Sequence, residues 1–300
     1  MGVTIIGRFA PSPTGELHVG NLRTAIAAWA SATSIGGTFL VRWEDLDQFT
    51  ATREHAVMQS RDLASLGIVP AEPPILQSER LSLYHDAIAS LVERGLTYEC
   101  FCSRKDIRDA VAAPHGQFAL YPGTCRSLSE AERNARRQER PGALRLRAHG
   151  GTETFTDYIH GTVSGEVDDV VLRRNDGMPS YNVAVVVDDA LQNVSEVVRG
   201  DDLLGVTPSQ VYLQKLLGYE TPIYGHVPLV VGDDGERLAK RHGAVTLRHL
   251  AGLGVSAAEV RAMLWESLGQ QCETWNWNAV PRTPWAVSYT HLTLPTILRV

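Results

Sequence analysis

The chain has 300 residues, of which 44% are hydrophobic, and its formal net charge is −6. This apolar content excludes a disordered polypeptide and suffices for one large domain with an insertion or for two domains. The acidic balance argues against a general nucleic-acid binder, so an RNA site would need a local basic face. The sequence has no 18-residue uncharged apolar run and no signal-peptide pattern, which predicts a soluble cytoplasmic protein, and we expect a monomer.

The first 43 residues predict a strand, a loop, a helix and a second strand. The apolar run Val3–Ile6 predicts a short strand, which the turn-forming segment Ala10–Gly15 follows. Apolar residues between Leu22 and Ala32 recur with a helical period, and Phe39–Trp43 is again an apolar run. This order is typical of a βαβ unit with a right-handed crossover.

The following segments predict helices, an insertion and a return to the sheet. Two helices are expected over residues 52–66 and 80–94. Residues 98–175 differ in character, with three cysteines, an arginine-rich helix and short alternating strands, and are predicted to form an inserted domain. The continuous apolar run Tyr181–Val187 predicts a strand buried on both faces of a parallel sheet.

The last part of the chain predicts two capped helices, one strand and a foreign tail. Helices are expected to start at two capping boxes, Thr207 with Gln210 and Ser256 with Glu259, and a strand is expected over His226–Val231. Residues 287–300 are predicted to be a non-native tail, because Val287–Thr296 resembles the translation of a sequencing adapter. The natural C-terminus would then be lost.

The loop that follows the first strand carries groups that could hold phosphates. Ser12 and Thr14 offer hydroxyls, and Gly15 allows a close approach of the backbone. His18 and Gly20 open a helix, whose N-terminus favours anions. Alone, the loop is more simply explained as a tight turn with a capping role.

Three of the four cysteines lie close together in the sequence. Cys100, Cys102 and Cys125 fall within one short span, whereas Cys272 stands alone. Four cysteines are too few for a disulfide scaffold in a chain of this size, so the clustering favours a metal. A tetrahedral zinc site needs a fourth ligand, and chemistry alone favours His115 over a tyrosine. A reduced cluster without metal is the alternative.

Two segments together resemble the signatures of class I aminoacyl-tRNA synthetases. His18–Asn21 stands in the place of the first signature, and Arg237–Arg241 in the place of the second. The second is degenerate, because an arginine and an alanine replace the commonest lysine and serine. Lys240 keeps the essential amine, a mobile cation suited to a pyrophosphate leaving group.

Further segments resemble the glutamyl-tRNA synthetases and their shortened paralogues, the glutamyl-Q tRNA(Asp) synthetases. They are Gly7–Gly15, Val41–Asp47, Tyr181–Asp189 and Val198–Asp202, and the similarity extends over about residues 5–250. The resemblance implies an α/β fold: a Rossmann-type class I catalytic domain with an inserted zinc-containing acceptor-binding domain and a short helical C-terminal part. The corresponding ranges are 1–97 and 176–225 for the two catalytic halves, 98–175 for the insertion, and 226–286 for the signature loop and helical region.

The resemblance also implies roles for individual residues. Glutamate would be bound by Arg8, Ser12, Glu44, Tyr181 and Arg199. ATP, accompanied by Mg²⁺, would be bound by Ser12, His18, Gly20, Asn21 and Lys240, with His18 and Lys240 catalytic. One structural zinc would be held by Cys100, Cys102, Tyr121 and Cys125. These residue types suit glutamate, because a guanidinium such as Arg199 or Arg8 can bind its side-chain carboxylate and Glu44 its ammonium.

The choice between the two families rests on two elements. Glu44–Asp47 and the Tyr121–Cys125 spacing both resemble the shortened paralogue. The implied activity is the ATP-dependent activation of glutamate and its transfer to the queuosine base in the anticodon of tRNA-Asp. One alternative is a fragment of a glutamyl-tRNA synthetase that charges the 3′ end of tRNA-Glu, and another is a non-catalytic RNA-binding pseudo-enzyme.

An RNA partner would need basic side chains on one face. The densest candidates are Arg133, Arg136, Arg137, Arg140, Arg145 and Arg147. A solvated charged helix explains the same residues equally well.

Overall fold

The structure is a computed structural model that describes most of the chain. The described residues are 5–103, 105–107, 120–232, 235, 245–271 and 274–287. The predictions for His115, Cys272 and the basic segment Arg237–Arg241, which contains Lys240, concern residues outside these ranges. Of the predicted foreign tail, Val287 alone is described, and its side chain is buried in the larger hydrophobic core.

A seven-stranded sheet forms the centre of the fold. Its strands, in spatial order, are β3 (Ile75–Leu76), β2 (Thr38–Trp43), β1 (Ile6–Phe9), β9 (Glu196–Gly200), β10 (Ile223–Val227), β6 (Thr152–Asp157) and β7 (Gly161–Glu166). Neighbouring strands are parallel except β6 and β7, which form an antiparallel hairpin. A mostly parallel α/β sheet is therefore confirmed.

Two smaller sheets accompany the main one. β4 (Thr97–Cys100), β5 (Ala143–Leu146) and β8 (Val171–Arg173) form an antiparallel sheet, and β11 (Val230–Val231) pairs in parallel with β12 (Trp285–Ala286). The helices are α1 (Val19–Thr33), α2 (Arg53–Ser65), α3 (Leu81–Glu93), α4 (Glu130–Glu139), α5 (Tyr181–Leu191), α6 (Thr207–Leu217), α7 (Leu247–Gly252) and α8 (Ala257–Ser267). Within the described residues, none of the helices has the length and apolarity that a membrane crossing requires.

Four hydrophobic cores hold the described elements together, and two of them are large. The larger core packs α1 and α8 against β1 and β2, and the second gathers α3, α5 and α6 with β5 and β8. The cavity described below opens at the carboxyl ends of the parallel strands.

The predicted N-terminal βαβ unit is confirmed. β1 and β2 pair in parallel, with Ile6 opposite Thr38, and α1 connects them. The first strand lies further along the chain than the run Val3–Ile6 and includes Gly7. A Cβ atom at Gly7 would lie 2.9 Å from the Cβ of Ala32, so glycine lets α1 pack closely on β1. The helices predicted over 52–66 and 80–94 are confirmed as α2 and α3.

The strand prediction for Tyr181–Val187 was wrong, because this run begins helix α5. The residues from Val183 to Asp189 are all buried, and α5 packs against α3, α6 and β8. A helix that is covered on all sides shows no polar stripe, so its sequence lacks helical periodicity. Tertiary packing overrides the strand preference of its valines.

Two further predictions differ from the structure. The expected strand His226–Val231 is divided into β10 and β11 at Pro228, which has no N–H to donate to a sheet. The capping box at Ser256 is confirmed, but the one at Thr207 was wrong, because α6 has no side-chain cap. The Thr207 hydroxyl instead donates to the Leu203 carbonyl at 2.9 Å and accepts from Arg199.

Part of the predicted insertion is continuous with the main sheet. β6 and β7 lie within residues 98–175, yet β6 pairs with β10, where Asp157 is opposite Tyr224. The three-stranded sheet, α4 and the cysteine cluster account for the rest of the described range. The boundaries of an inserted domain therefore stay a prediction.

Candidate active site

A cavity of about 170 Å³ opens at the carboxyl ends of the parallel strands. Its walls come from the end of β1, the N-terminus of α1, the residue after β2, the end of β9 and the segment after β10. β1 lies between β2 and β9, so the chain leaves β1 towards one side and returns on the other. Such a switch point in a parallel sheet is where α/β proteins bind ligands.

Most of the predicted ligand-binding residues line this cavity. They are Arg8, His18, Gly20, Asn21, Glu44, Tyr181 and Arg199. Ser12 is exposed and does not line it, and the Ser12 carbonyl accepts hydrogen bonds from Thr14 at 2.9 Å and Gln59 at 3.2 Å. The individual roles of these residues stay predictions.

Asp189 binds two arginines on one side of the cavity. Its carboxylate accepts two hydrogen bonds from Arg8, at 3.1 and 3.4 Å, and lies 2.8 Å from a nitrogen of Arg42. Burial alone would raise the pKa of Asp189, but the two arginines lower it below its usual value. Arg8 therefore has a carboxylate partner within the protein, which it shares with Arg42.

Glu44 follows β2 and faces the same group of charges. Its carboxylate lies 3.7 Å from the guanidinium of Arg42, which is fully buried. Burial raises the pKa of Glu44 to about 7, although Arg42 and Arg8 act in the opposite direction. A cationic group bound beside Glu44 would favour its charged form.

Asp188, the neighbour of Asp189 in the sequence, connects this charged cluster to the region around the start of α3. It accepts hydrogen bonds from Gln77 at 3.0 Å, Arg80 at 2.7 Å and the Tyr84 hydroxyl at 2.7 Å. It also lies 3.6 Å from the guanidinium of Arg42. Since Gln77 to Tyr84 belong to the start of α3 and the turn before it, these bonds fix α5 against that region.

Arg199, at the end of β9, has uncharged partners. Its Nε donates to His226 at 3.0 Å, Nη2 to Thr207 at 2.7 Å and Nη1 to the Tyr181 hydroxyl at 3.4 Å. Within the described ranges, no carboxylate forms an ion pair with Arg199. Arg199 therefore brings to the cavity a positive charge without a carboxylate partner among the described residues, whereas Arg8 has Asp189 as a partner.

His18 caps the helix that points at the cavity. Its Nδ1 accepts from the backbone N–H groups of Gly20 at 3.1 Å and Asn21 at 3.4 Å, and Asn21 Oδ1 accepts from the His18 N–H at 3.3 Å. Because Nδ1 is an acceptor, the neutral ring carries its hydrogen on Nε2. This hydrogen and the N-terminus of α1 suit a phosphate group.

The cysteine cluster forms a compact set of donors outside the cavity. The Sγ atoms of Cys100, Cys102 and Cys125 lie within 4.8 Å of one another, and the Tyr121 hydroxyl lies 3.3 Å from Cys100 Sγ and 3.4 Å from Cys102 Sγ. Tetrahedral zinc with Zn–S bonds of ~2.3 Å separates its ligands by about 3.8 Å. The donor set therefore fits one zinc ion.

The arginines of the predicted RNA-binding face are not equivalent. α4 is exposed along its length, and Arg137 pairs with Glu99 and Glu130. Arg145 is buried, its guanidinium lies 3.8 Å from the centre of the Tyr121 ring, and Nη1 donates to the Asp169 carbonyl. The inclusion of Arg145 in a surface for RNA was therefore wrong.

Several residues of this site were missed from the sequence. Arg42, Asp157, Asp189 and His226 are buried, and all of them except Asp157 lie within or beside an apolar run. A charged or polar side chain in such a run needs a buried partner, which was the available signal. The identity of each partner depends on strand order, which the sequence does not show.

The architecture and the sequence match known synthetases. Residues 4–267 match the family described as tRNA synthetases class I (E and Q), catalytic domain. A glutamyl-Q tRNA(Asp) synthetase of Nocardia farcinica is 50% identical over 96% of this chain and 95% of its own length, and one of Cutibacterium acnes is 49% identical over 88% and 76%.

A solved structure of a glutamate tRNA ligase has a similar fold. The crystal structure of a glutamate tRNA ligase from Elizabethkingia meningosepticum, in complex with its amino acid, has a TM-score of 0.73 and 25% identity to this chain. The match covers 96% of this chain and 68% of that one. The resemblance expected from the sequence is thereby confirmed: the chain belongs to the class I tRNA synthetases (E and Q) and, within that family, to the glutamyl-Q tRNA(Asp) synthetases.

Proposed function

We propose that the protein activates glutamate with ATP, forming glutamyl-adenylate, and transfers the glutamyl group to the queuosine base of tRNA-Asp. The observation that carries the proposal is that one cavity combines an arginine with no carboxylate partner among the described residues, a carboxylate, and a capped helix N-terminus. A dicarboxylic amino acid offers a carboxylate to the arginine and an ammonium to the carboxylate, and a nucleoside triphosphate offers phosphates to the helix N-terminus.

Within the cavity, Arg199 binds the side-chain carboxylate of glutamate and Glu44 binds its ammonium. Arg199 is preferred to Arg8, because Arg8 is already bound by Asp189. Glutamine would offer Arg199 a neutral amide with one acceptor oxygen, so the charge of the site favours glutamate. Tyr181, whose hydroxyl accepts from Arg199 at 3.4 Å, contributes to the shape of this subsite.

The nucleotide binds at the N-terminus of α1. His18 donates from Nε2 to a phosphate, and the backbone at Gly20 and Asn21 lies beside it. The α-carboxylate of glutamate attacks the α-phosphorus, and pyrophosphate leaves with the charge that Mg²⁺ and Lys240 would balance. Positioning and charge stabilisation provide most of the rate in such a reaction.

The proposed acceptor rests on the relatives. The Nocardia farcinica protein, whose name specifies tRNA(Asp), is 50% identical to this chain over 95% of its own length. A glutamate–tRNA ligase of Pelobacter propionicus is 40% identical over 52% of its own length, and the glutamate tRNA ligase structure is 25% identical. The second candidate is charging of tRNA-Glu, which the shared fold of that ligase favours.

We further propose that Cys100, Cys102, Tyr121 and Cys125 hold one structural zinc ion, and that the protein acts as a cytoplasmic monomer. The short distances among the three thiols and the phenol support the metal site. A bound zinc would link β4 to the segment that precedes α4, because Cys100 belongs to β4 and Cys125 lies before Glu130.

Glutamate-dependent exchange of pyrophosphate into ATP tests the activation step directly. We expect exchange with glutamate, and exchange with glutamine or aspartate that is lower by at least about tenfold. The variant Arg199→Ala should lose glutamate-dependent exchange. Absence of exchange in the unmodified protein would reject the enzyme and favour the non-catalytic RNA-binding alternative.

A further inference from the structure

A buried hydrogen-bonded chain runs from the end of β6 to the guanidinium of Arg199. Asp157 Oδ2 accepts from the backbone N–H of His226 at 3.0 Å and lies 2.7 Å from His226 Nδ1. Asp157 Oδ1 accepts from the backbone N–H groups of Ile159 at 2.8 Å and His160 at 2.9 Å. Three backbone N–H groups thus donate to Asp157. Burial alone would raise the pKa of Asp157, but its hydrogen bonds with His226, His160 and Ile159 lower the pKa below its usual value, so the carboxylate is ionised and accepts the Nδ1 hydrogen of His226.

This arrangement determines which nitrogen of His226 carries the hydrogen. Because Asp157 takes the Nδ1 hydrogen, Nε2 presents its lone pair to Arg199 Nε, 3.0 Å away. Burial lowers the pKa of His226 to about 4, although Asp157 opposes the shift, so the ring is neutral at physiological pH. The ring is fully buried and packs beside Phe155 and Tyr224, which also contact each other, and this packing restricts its rotation away from Arg199.

Thr207 presents a second uncharged acceptor to the same guanidinium. Its hydroxyl accepts from Arg199 Nη2 at 2.7 Å, and it can donate to the Leu203 carbonyl at 2.9 Å or to His226 Nε2 at 3.1 Å. A guanidinium has five N–H groups, and His226, Thr207 and Tyr181 take one from each of its three nitrogens. One N–H then remains on Nη1 and one on Nη2, which is the arrangement that binds a carboxylate through two parallel hydrogen bonds.

We propose that Asp157, His226 and Thr207 are positioning residues that orient Arg199 for the side-chain carboxylate of the substrate and keep its charge available. The inference rests on the proposed binding of glutamate at Arg199. A comparison with Arg8 suggests why the partners of Arg199 are uncharged. Arg8 forms an ion pair with Asp189, and a carboxylate placed in the same way at Arg199 would compete with the substrate carboxylate. Asp157 instead acts through a neutral imidazole, which orients Arg199 without competing.

The variant Asp157→Asn tests the tautomer. Its oxygen is needed by the N–H groups of Ile159 and His160, so its NH₂ group would face His226 Nδ1 and the backbone N–H of His226. His226 would then carry its hydrogen on Nε2, beside the Thr207 hydroxyl, and could no longer accept from Arg199 Nε. We expect the KM for glutamate in pyrophosphate exchange to rise about tenfold or more, the order expected when a buried donor loses its acceptor. The kcat and the KM for ATP should change by less than about twofold.

A matched pair at Thr207 tests the second acceptor. Thr207→Val has nearly the same shape but no oxygen, and we expect it to raise the KM for glutamate. Thr207→Ser keeps the hydroxyl and should retain the KM of the unmodified enzyme. Glu196→Gln is the control for a change to a buried carboxylate, because Glu196 lies on β9 but binds Ser31 outside the cavity. It should leave both kinetic constants unchanged even if the melting temperature falls.

The tautomer can also be measured in the unmodified protein. Long-range ¹H–¹⁵N correlation spectra should show that His226 Nδ1 is protonated and Nε2 is not. A hydrogen on Nε2 would overturn the inference, as would an Asp157→Asn enzyme with an unchanged KM for glutamate. No glutamate-dependent exchange by the unmodified protein would reject the proposed function instead, so the two failures are distinguishable.

Discussion

The carboxylate of Glu44 lies 3.7 Å from the guanidinium of Arg42, which Asp189 holds at 2.8 Å. Arg42 is therefore shared between two carboxylates, and Asp189 has the closer contact. Burial raises the pKa of Glu44 to about 7, so the carboxyl group of the free protein changes between its neutral and its charged form in the neutral pH range. The cavity thus contains a carboxylate that a cationic substrate group would convert to its charged form.

This property predicts a pH dependence of glutamate binding. The KM for glutamate should fall about tenfold between pH 6 and pH 8, because Glu44 binds the substrate ammonium in its ionised form. Glu44→Gln should bind glutamate weakly and should lose this dependence. Pyrophosphate exchange at several pH values measures it. An unchanged KM in the unmodified enzyme, or the same slope in the Gln variant, would exclude Glu44 as the ammonium partner.

The same pKa shift predicts the sign of an effect on stability. The pKa of Glu44 is raised from 4.5 in the unfolded reference to about 7 in the fold. Its contribution to stability is therefore fully present below pH ~4.5 and is lost as the pH rises through about 7. The difference in the free energy of unfolding between Glu44→Gln and the unmodified protein should therefore shift in favour of the variant from pH 5 to pH 8. Denaturant unfolding of both proteins at the two pH values measures this difference.

His18 allows its capping role to be separated from its proposed role with phosphate. Asparagine is a good N-cap, so His18→Asn should keep the start of α1 but lose the donor at Nε2. His18→Ala should lose both functions and about 1 kcal/mol of stability. We expect both variants to lower the kcat of exchange by about a hundredfold. Normal turnover by a stable Asn variant would remove His18 from the chemistry.

Metal analysis tests the proposed zinc site. Protein purified without chelator should contain one zinc per chain, and removal of the metal should destabilise the fold. Tyr121→Phe keeps the ring that packs on Arg145 but removes the phenol oxygen, so it should lose zinc to a chelator faster than the unmodified protein. His115→Ala is the matched control for the other candidate ligand. Faster loss from that variant alone would assign the fourth position to histidine.

Lys240 is expected to act on charge that develops as pyrophosphate leaves. Lys240→Ala should therefore lower the rate of glutamyl-adenylate formation while glutamate binding changes little. Single-turnover measurements separate the two quantities. A normal rate of adenylate formation would exclude Lys240 from the mechanism.

Short sequence patterns predicted the secondary structure correctly in many segments, but they failed in segments whose structure depends on tertiary packing. The periodic apolar residues of α1 and the capping box at Ser256 both predicted real helices. The valine-rich run after Tyr181 did not, because α5 is covered on all sides and shows no polar face. Thr207 has the sequence of a helix cap, but its hydroxyl binds Arg199.

The candidate site shows the same division. The resemblance to a known family identified Arg8, Glu44, Tyr181 and Arg199, which line one cavity. It did not identify the pairing of Asp157 with His226, which are 69 positions apart in the sequence. That contact exists because β6 lies beside β10, and this order cannot be inferred from either strand alone.

The acceptor is the most direct test of the central claim. Radiolabelled glutamate, ATP and the purified protein should be incubated separately with queuosine-containing tRNA-Asp, with tRNA-Asp that lacks queuosine, and with tRNA-Glu. A single-stranded modified base can be read by a protein pocket, so we predict incorporation into queuosine-containing tRNA-Asp alone. Incorporation into tRNA-Glu, with none into queuosine-containing tRNA-Asp, would contradict the account and support charging of tRNA-Glu.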